Sequence, residues 1–125
     1  MPGGIISTND APRSPYYSQA VRGAGLIFVS GQGPLDPTTG QVVGTNIQER
    51  TRQCLRNVEA ILTAAGSSMA KVVSATFILR DPADFAGMNE EWLRWFPSDQ
   101  PARQGARHPL DVDGHSISIA VIAEE

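Results

Sequence analysis

Apolar and polar positions along the chain follow two periods, one of strands and one of helices. Leu26-Ile27-Phe28-Val29-Ser30 is a run of bulky, strand-favouring residues, with Gly31 read as its end. Tyr17 to Val21 predicts a shorter strand, and Arg22-Gly23-Ala24-Gly25 predicts a hairpin turn between the two. Prolines and glycines near the start predict an irregular leader over residues 1–12. Pro34 to Gly40 reads as loop, with Asp36-Pro37 opening a turn.

The clearest helix begins after Asn46, a good N-cap, with Glu49 three residues on completing a capping-box-like pattern. Ile47, Cys54, Leu55, Val58, Ile61, Leu62 and Ala65 fall on one stripe, and Gly66 ends it. Arg50, Arg52, Arg56 and Glu59 are expected on the solvent face. Lys71 to Arg80 is rich in β-branched residues and predicts a strand. Ala83 to Phe96 predicts a second helix, entered at Pro82 and left at Pro97. Its inward residues should be Phe85, Met88, Trp92, Leu93 and Trp95 or Phe96. Arg103 to Arg107 predicts a short strand, Asp111 to Gly114 a turn, and Ser116 to Ala123 a central strand.

The order is ββ-α-β followed by α-ββ. A chain of 125 residues fits one domain, residues 1–125, and buries about two thirds of its unfolded surface. Both helices can pack on one face of a single mixed sheet, an α/β (α+β) architecture. The other face would still carry apolar residues, and no third layer exists to cover it. Association of chains through that face is expected.

Composition narrows the function classes. Ten basic residues against thirteen acidic give a net charge of -3, which argues against a general nucleic-acid binder. The one cysteine, Cys54, cannot form an internal disulfide and sits in the apolar stripe as a small buried hydrophobe. With two histidines and one cysteine, zinc-site spacing is absent. No apolar run approaches the roughly 20 residues of a membrane span. The first ten residues lack the basic start and apolar stretch of a signal peptide, so a soluble, cytoplasmic setting is the expectation.

No standard catalytic motif appears. Gly23, Gly25, Gly31 and Gly33 make neither a dinucleotide fingerprint nor a phosphate loop. His108 and His115 read as surface or turn residues, and Asp111 and Asp113 as solvated turn carboxylates. The more informative stretch is Gln100-Pro101-Ala102-Arg103-Gln104-Gly105. An arginine at a strand start behind Pro-Ala is stiffly mounted, and its planar guanidinium offers two parallel donors to a carboxylate. The alternative is a surface arginine paired with a nearby acid. Tyr16-Tyr17-Ser18-Gln19 places three successive hydroxyls, as a core anchor or as the rim of a pocket.

Taken in order, Tyr17-Ser18-Gln19-Ala20-Val21, Ile27-Phe28-Val29-Ser30-Gly31-Gln32, Gln53 to Gly66, Asp84 to Glu90, Pro101-Ala102-Arg103 and Ile117 to Ala123 resemble the RidA/YjgF family. These small imine-handling proteins include members named endoribonuclease L-PSP. The match spans roughly residues 11–123. The resemblance implies a chorismate-mutase-like fold and a homotrimer with clefts between subunits. It implies hydrolysis of reactive enamines and imines to 2-keto acids and ammonia, with no cofactor or metal. Carried over by position, Arg103 would hold the substrate carboxylate and Tyr17 would line the pocket. Ser30 and Gly31 match the pocket-lining Ser-Gly, and Asn89 matches an asparagine of the second helix that is either functional or structural. Gly105 falls where many members have cysteine, at a site whose backbone groups help position water or the imine nitrogen.

One departure bears on the chemistry. The deaminating branch reads Glu-Ile-Glu-Ala-Ile-Ala in its last strand, and here the residues are Ser118 to Ala123. Ala120 stands where the carboxylate that orients the attacking water belongs. Losing such a group typically costs about 10²–10⁴-fold. Three readings follow. The chain is an imine deaminase or a variant acting on another imine. It is a non-hydrolytic protein that binds a small carboxylate metabolite. Or it is a ribonuclease, which the acidic charge balance disfavours.

Overall fold

Helix α1 (Ile47–Ala64) starts and stops where its end signals place it. The Asn46 side chain accepts from the Glu49 backbone N–H at 2.8 Å. The Glu49 carboxylate reaches the N–H of Thr45 at 2.8 Å, one residue before the cap. At the other end Gly66 takes φ +80, where a glycine costs no steric penalty. The Gly66 N–H then bonds Thr63 O and the Ser67 N–H bonds Leu62 O, closing a Schellman motif. Cys54, Leu55, Val58, Ile61 and Leu62 are fully buried, and burial pushes the Cys54 thiol pKa far up, so it stays protonated.

The computed structural model describes residues 4–108 and 115–125. The six strands are β1 (Ile5–Ile6), β2 (Ala20–Gly23), β3 (Leu26–Gln32), β4 (Val72–Leu79), β5 (Ala102–Arg107) and β6 (Ile117–Glu124). They form one sheet in the order β1-β2-β3-β6-β4-β5. Among the described residues only the β4–β5 pair is parallel. The predicted central strand is β6, between β3 and β4. Its Ile117, Ile119, Val121 and Ala123 are buried under α1, while Ser118, Ala120 and Ile122 face the helix-free side. Phe28 lies opposite Ile122 on that side and is 43% exposed, so the uncovered apolar face exists. The mixed sheet with two helices on one face is the predicted architecture.

Several expectations are corrected. The leader is not wholly irregular, because Ile5–Ile6 adds a short edge strand on β2. The strand expected from Tyr17 begins only at Ala20. The Gln19 side chain turns back onto the leader, donating to Thr8 O, Ala11 O and Pro12 O, which takes this segment out of the sheet. Gly31 does not end β3, since the strand runs to Gln32 through a shift of register between Val29 and Gln32. The predicted turn at Asp111 to Gly114 lies outside the described residues.

The second helix, α2 (Phe85–Trp95), follows a 3-10 turn over Pro82–Asp84 whose Ala83 N–H is capped by the Asp81 carboxylate. Met88, Trp92 and Phe96 are buried as expected, but Phe85 and Leu93 are exposed. These two side chains lie toward the β5 edge, where no further element among the described residues covers them. Glu91 takes a buried position instead. Arg52 and Arg50 of α1 are accordingly not free on the solvent face. The Arg52 guanidinium donates twice to Glu91, at 3.1 and 3.0 Å, and Trp95 Nε1 donates to the same carboxylate at 2.9 Å. Arg50 bonds Gly44 O and the Ser116 hydroxyl.

This ion pair fixes α2 on α1. Burial alone would raise the Glu91 pKa, but the bonds from Arg52 and Trp95 and the charges of Arg52 and Arg94 outweigh it and hold the carboxyl below its ordinary value. A carboxyl depressed in the folded state stabilises above its unfolded pKa, and that contribution is lost as pH falls through the folded one. Removing one partner of a buried pair costs about 3–5 kcal/mol, and the partial exposure of Arg52 moves Glu91→Gln to about 2–3 kcal/mol. Chemical denaturation at pH 7 should show that loss. Between pH 5 and pH 3 the wild type should lose stability more steeply than the variant.

Candidate functional site

Arg103 stands on β5, a six-residue edge strand exposed along its whole length. Parallel pairing sets it beside the buried Ala75 on the helix-facing side. Its guanidinium carbon lies 4.9 Å from the centre of the Phe77 ring, 5.1 Å from Trp92 and 5.7 Å from Phe85. The three rings surround the guanidinium at cation–π distance and restrict where it can sit. One N–H donates to Asn89 Oδ1 at 2.8 Å. None of the ion pairs among the described residues involves Arg103, so the surface-pair alternative is not realised there. Burial pulls its pKa down, a shift that an arriving carboxylate would oppose.

The helices place these partners. Asn89 and Trp92 flank Glu91 on α2, so the Arg52–Glu91 pair holds the turn of helix beneath Arg103. A cavity of about 400 Å³ opens here, lined by Asn89, Trp92, Leu93, Gln100, Pro101 and Arg103. A larger cavity of about 550 Å³, between Asn9–Arg13 and Leu35–Gly40, contains none of the candidate residues.

Gly105 follows Arg103 on the same face, opposite Phe77 in the β4–β5 register. A Cβ at Gly105 would fall 2.2 Å from the Phe77 ring. The ring therefore occupies the space of the missing side chain, and any side chain here would have to displace it.

The remaining candidates lie elsewhere. Tyr17 is 56% exposed in the segment before β2. The Ser30 hydroxyl donates to Ser18 O at 2.7 Å, tying β3 to that segment. A Cβ on Gly31 would lie 2.8 Å from Ser118 Oγ, so Gly31 sits beside the Ser118–Ala120 face of β6. Ala120 is on the helix-free face, opposite Thr76. One chain thus divides the seven candidates into two sets. Arg103, Gly105 and Asn89 lie on the helix side of β5, and Tyr17, Ser30, Gly31 and Ala120 lie around β3 and β6.

His115 is half-buried beside Gly33, and burial lowers its pKa, favouring the neutral ring. The backbone N–H of His108 bonds Leu79 O. Among the described residues no three His, Cys, Asp or Glu side chains gather where a metal ion could be held. No helix among them is long and apolar enough to cross a membrane. Residue-by-residue reading missed Phe77 and Phe85 as parts of the Arg103 shelf. The available signal was register, since Phe77 faces a residue with no side chain.

A sequence profile of the family described as endoribonuclease L-PSP matches residues 8–125. The chain belongs to this family, which is the RidA/YjgF family. It is 43% identical over 113 residues to a RutC family protein of Pyrococcus horikoshii, covering 86% of this chain and 89% of that one. It is 39% identical over 120 residues to the rat 2-iminobutanoate/2-iminopropanoate deaminase, covering 95% and 88%. The structure of E. coli TdcF with bound serine superposes with a TM-score of 0.89 at 32% identity, over 97% of this chain and 98% of that one. The family thus includes imine deaminases, and the fold of this RidA/YjgF protein is theirs.

Overpacking a filled core site typically costs about 1–3 kcal/mol, and at this exposed edge strand the Phe77 ring can give way in part. Gly105→Ala should therefore lower stability by about 1 kcal/mol. In a Phe77→Val background the same change should cost less than half as much. Thermal unfolding of the four proteins in this cycle reads the coupling directly.

Proposed function

We propose that this protein hydrolyses 2-imino acids, or their enamine tautomers, to 2-oxo acids and ammonia. The observation that supports this most is the Arg103 guanidinium, flanked by three rings, bonded to one neutral acceptor and paired with no described carboxylate. A substrate carboxylate accepting two of its N–H donors would be oriented as well as bound. Water then adds its oxygen to C2 of the imine, giving a tetrahedral carbinolamine. The nitrogen takes up a proton as the new hydroxyl gives one up, the C2–N bond breaks, ammonia leaves, and C2 becomes the carbonyl. The Gly105 backbone groups are suited to hold the water or the imine nitrogen, and Tyr17 to close the pocket.

The two sets of candidate residues meet only if a second copy brings its β3–β6 face to the β5 edge. This reading therefore includes an oligomer with sites between subunits, and the family resemblance makes it a homotrimer. Both the exposed β5 edge and the uncovered apolar face of the sheet favour it. Sedimentation equilibrium should return three chains per particle, and a monomer would remove the intersubunit site.

A second reading follows from Ala120. Its neighbours on the helix-free face are Ser118, Ile122 and Thr76, and none of them is a carboxylate. With no carboxylate among these neighbours to align water, the same pocket would bind a carboxylate metabolite without turning it over. The test generates 2-imino acids with an amino-acid oxidase and lets semicarbazide compete for them. The wild type should suppress semicarbazone formation. A lost charge-assisted contact of about 2–3 kcal/mol should lower kcat/KM of Arg103→Ala by about 30- to 160-fold. No suppression with any imine would leave binding as the function.

A further inference from the structure

A second cavity beside Arg103 shares Gly105 with the chemistry above but is otherwise unused by it. It encloses about 410 Å³ and is lined by Phe77, Leu79, Pro82, Phe85, Gly105 and Arg107, among others. Phe77 and Phe85 face each other at 6.0 Å with a 44° tilt, and the same two rings flank the guanidinium. The cavity therefore begins where the carboxylate anchor ends. Arg103 and Gly105 lie two residues apart on one strand face, about 7 Å. A 2-imino acid clamped at Arg103 would carry its side chain toward Gly105 and the Phe77 ring.

The lining decides what fits there. Gly105 contributes no side chain, and the Phe77 ring fills its place, so an aromatic surface is presented where a small residue would otherwise stand. Phe85 is 45% exposed, so much of its apolar ring is left open beside Phe77. A cavity of about 150 Å³ is enough for a benzene ring, so this one has room for a ring and its linker. A side chain of one or two carbons would leave both rings wet and gain little from burial.

We propose that this aromatic cavity receives the substrate side chain, and that the protein prefers 2-imino acids with bulky apolar, especially aromatic, side chains over those with one or two side-chain carbons. Phe77 and Gly105 are then a matched pair that sets specificity. This inference rests on the imine-hydrolase reading of Arg103, but the pocket can be tested through binding alone.

The test measures binding of the 2-oxo acid products to the full-length protein by calorimetry, comparing phenylpyruvate with pyruvate. Burying about 60 Å² more apolar surface is worth about tenfold in affinity. Phenylpyruvate should bind wild type about tenfold tighter or more, and the ratio should collapse toward unity in F77V/G105C. Phe85→Val is the second variant, in case the double variant fails to fold, and should lower the ratio in the same direction. Semicarbazone competition with imines made from phenylalanine and alanine should show the same order in rate. Selective binding of phenylpyruvate without hydrolysis would overturn the hydrolase reading and uphold the pocket. Equal affinities, tighter binding of pyruvate, no binding of either acid, or a ratio unchanged in folded variants would overturn the pocket.

Discussion

A cation laid on three aromatic rings is the constraint on which the candidate site depends. The rings take water from the faces of the Arg103 guanidinium without neutralising it, and Asn89 satisfies one donor with a neutral oxygen. A carboxylate in the place of Asn89 would have saturated the group. As built, charge and donors stay available at the mouth of a cavity, and their orientation is set before a ligand arrives.

The rest of the chain can be understood as support for that arrangement. β5 carries Arg103 at the sheet edge, in parallel register with β4, which brings Phe77 under it. α2 supplies Phe85, Asn89 and Trp92 from one side. The buried Arg52–Glu91 pair, with Trp95, keeps α2 on α1, and α1 rests on β3 and β6. On α1 the buried polar residues Gln53 and Asn57 do a similar task at the other set of candidates. Asn57 donates to Gly33 O and Leu35 O, and Gln53 donates to Asn57 Oδ1, which holds the chain just after Ser30 and Gly31.

Much of this was legible in the sequence where one local rule dominates. Asn46 and Gly66 marked the ends of α1, the apolar stripe marked its buried face, and Ser116 to Ala123 declared itself central. Legibility failed where a tertiary partner overrode the local pattern. Arg52 looks solvent-facing until α2 brings Glu91 to it. Tyr17 looks strand-like until Gln19 bonds the leader. Phe85 and Leu93 fit an inward stripe, but the sheet ends before it can cover them. Arg103 stood out through its Pro-Ala setting and the family resemblance. Its aromatic shelf did not, because parallel β4–β5 register is invisible to a reading of each segment alone.

The central claim is that Arg103 is a carboxylate clamp. It is tested most directly by following the arginine Nε–H resonances in ¹H–¹⁵N spectra as 2-oxobutanoate is added. One resonance should shift saturably, and it should be absent from the spectrum of Arg103→Lys. A titration that leaves that resonance in place, or moves another arginine instead, would contradict the account.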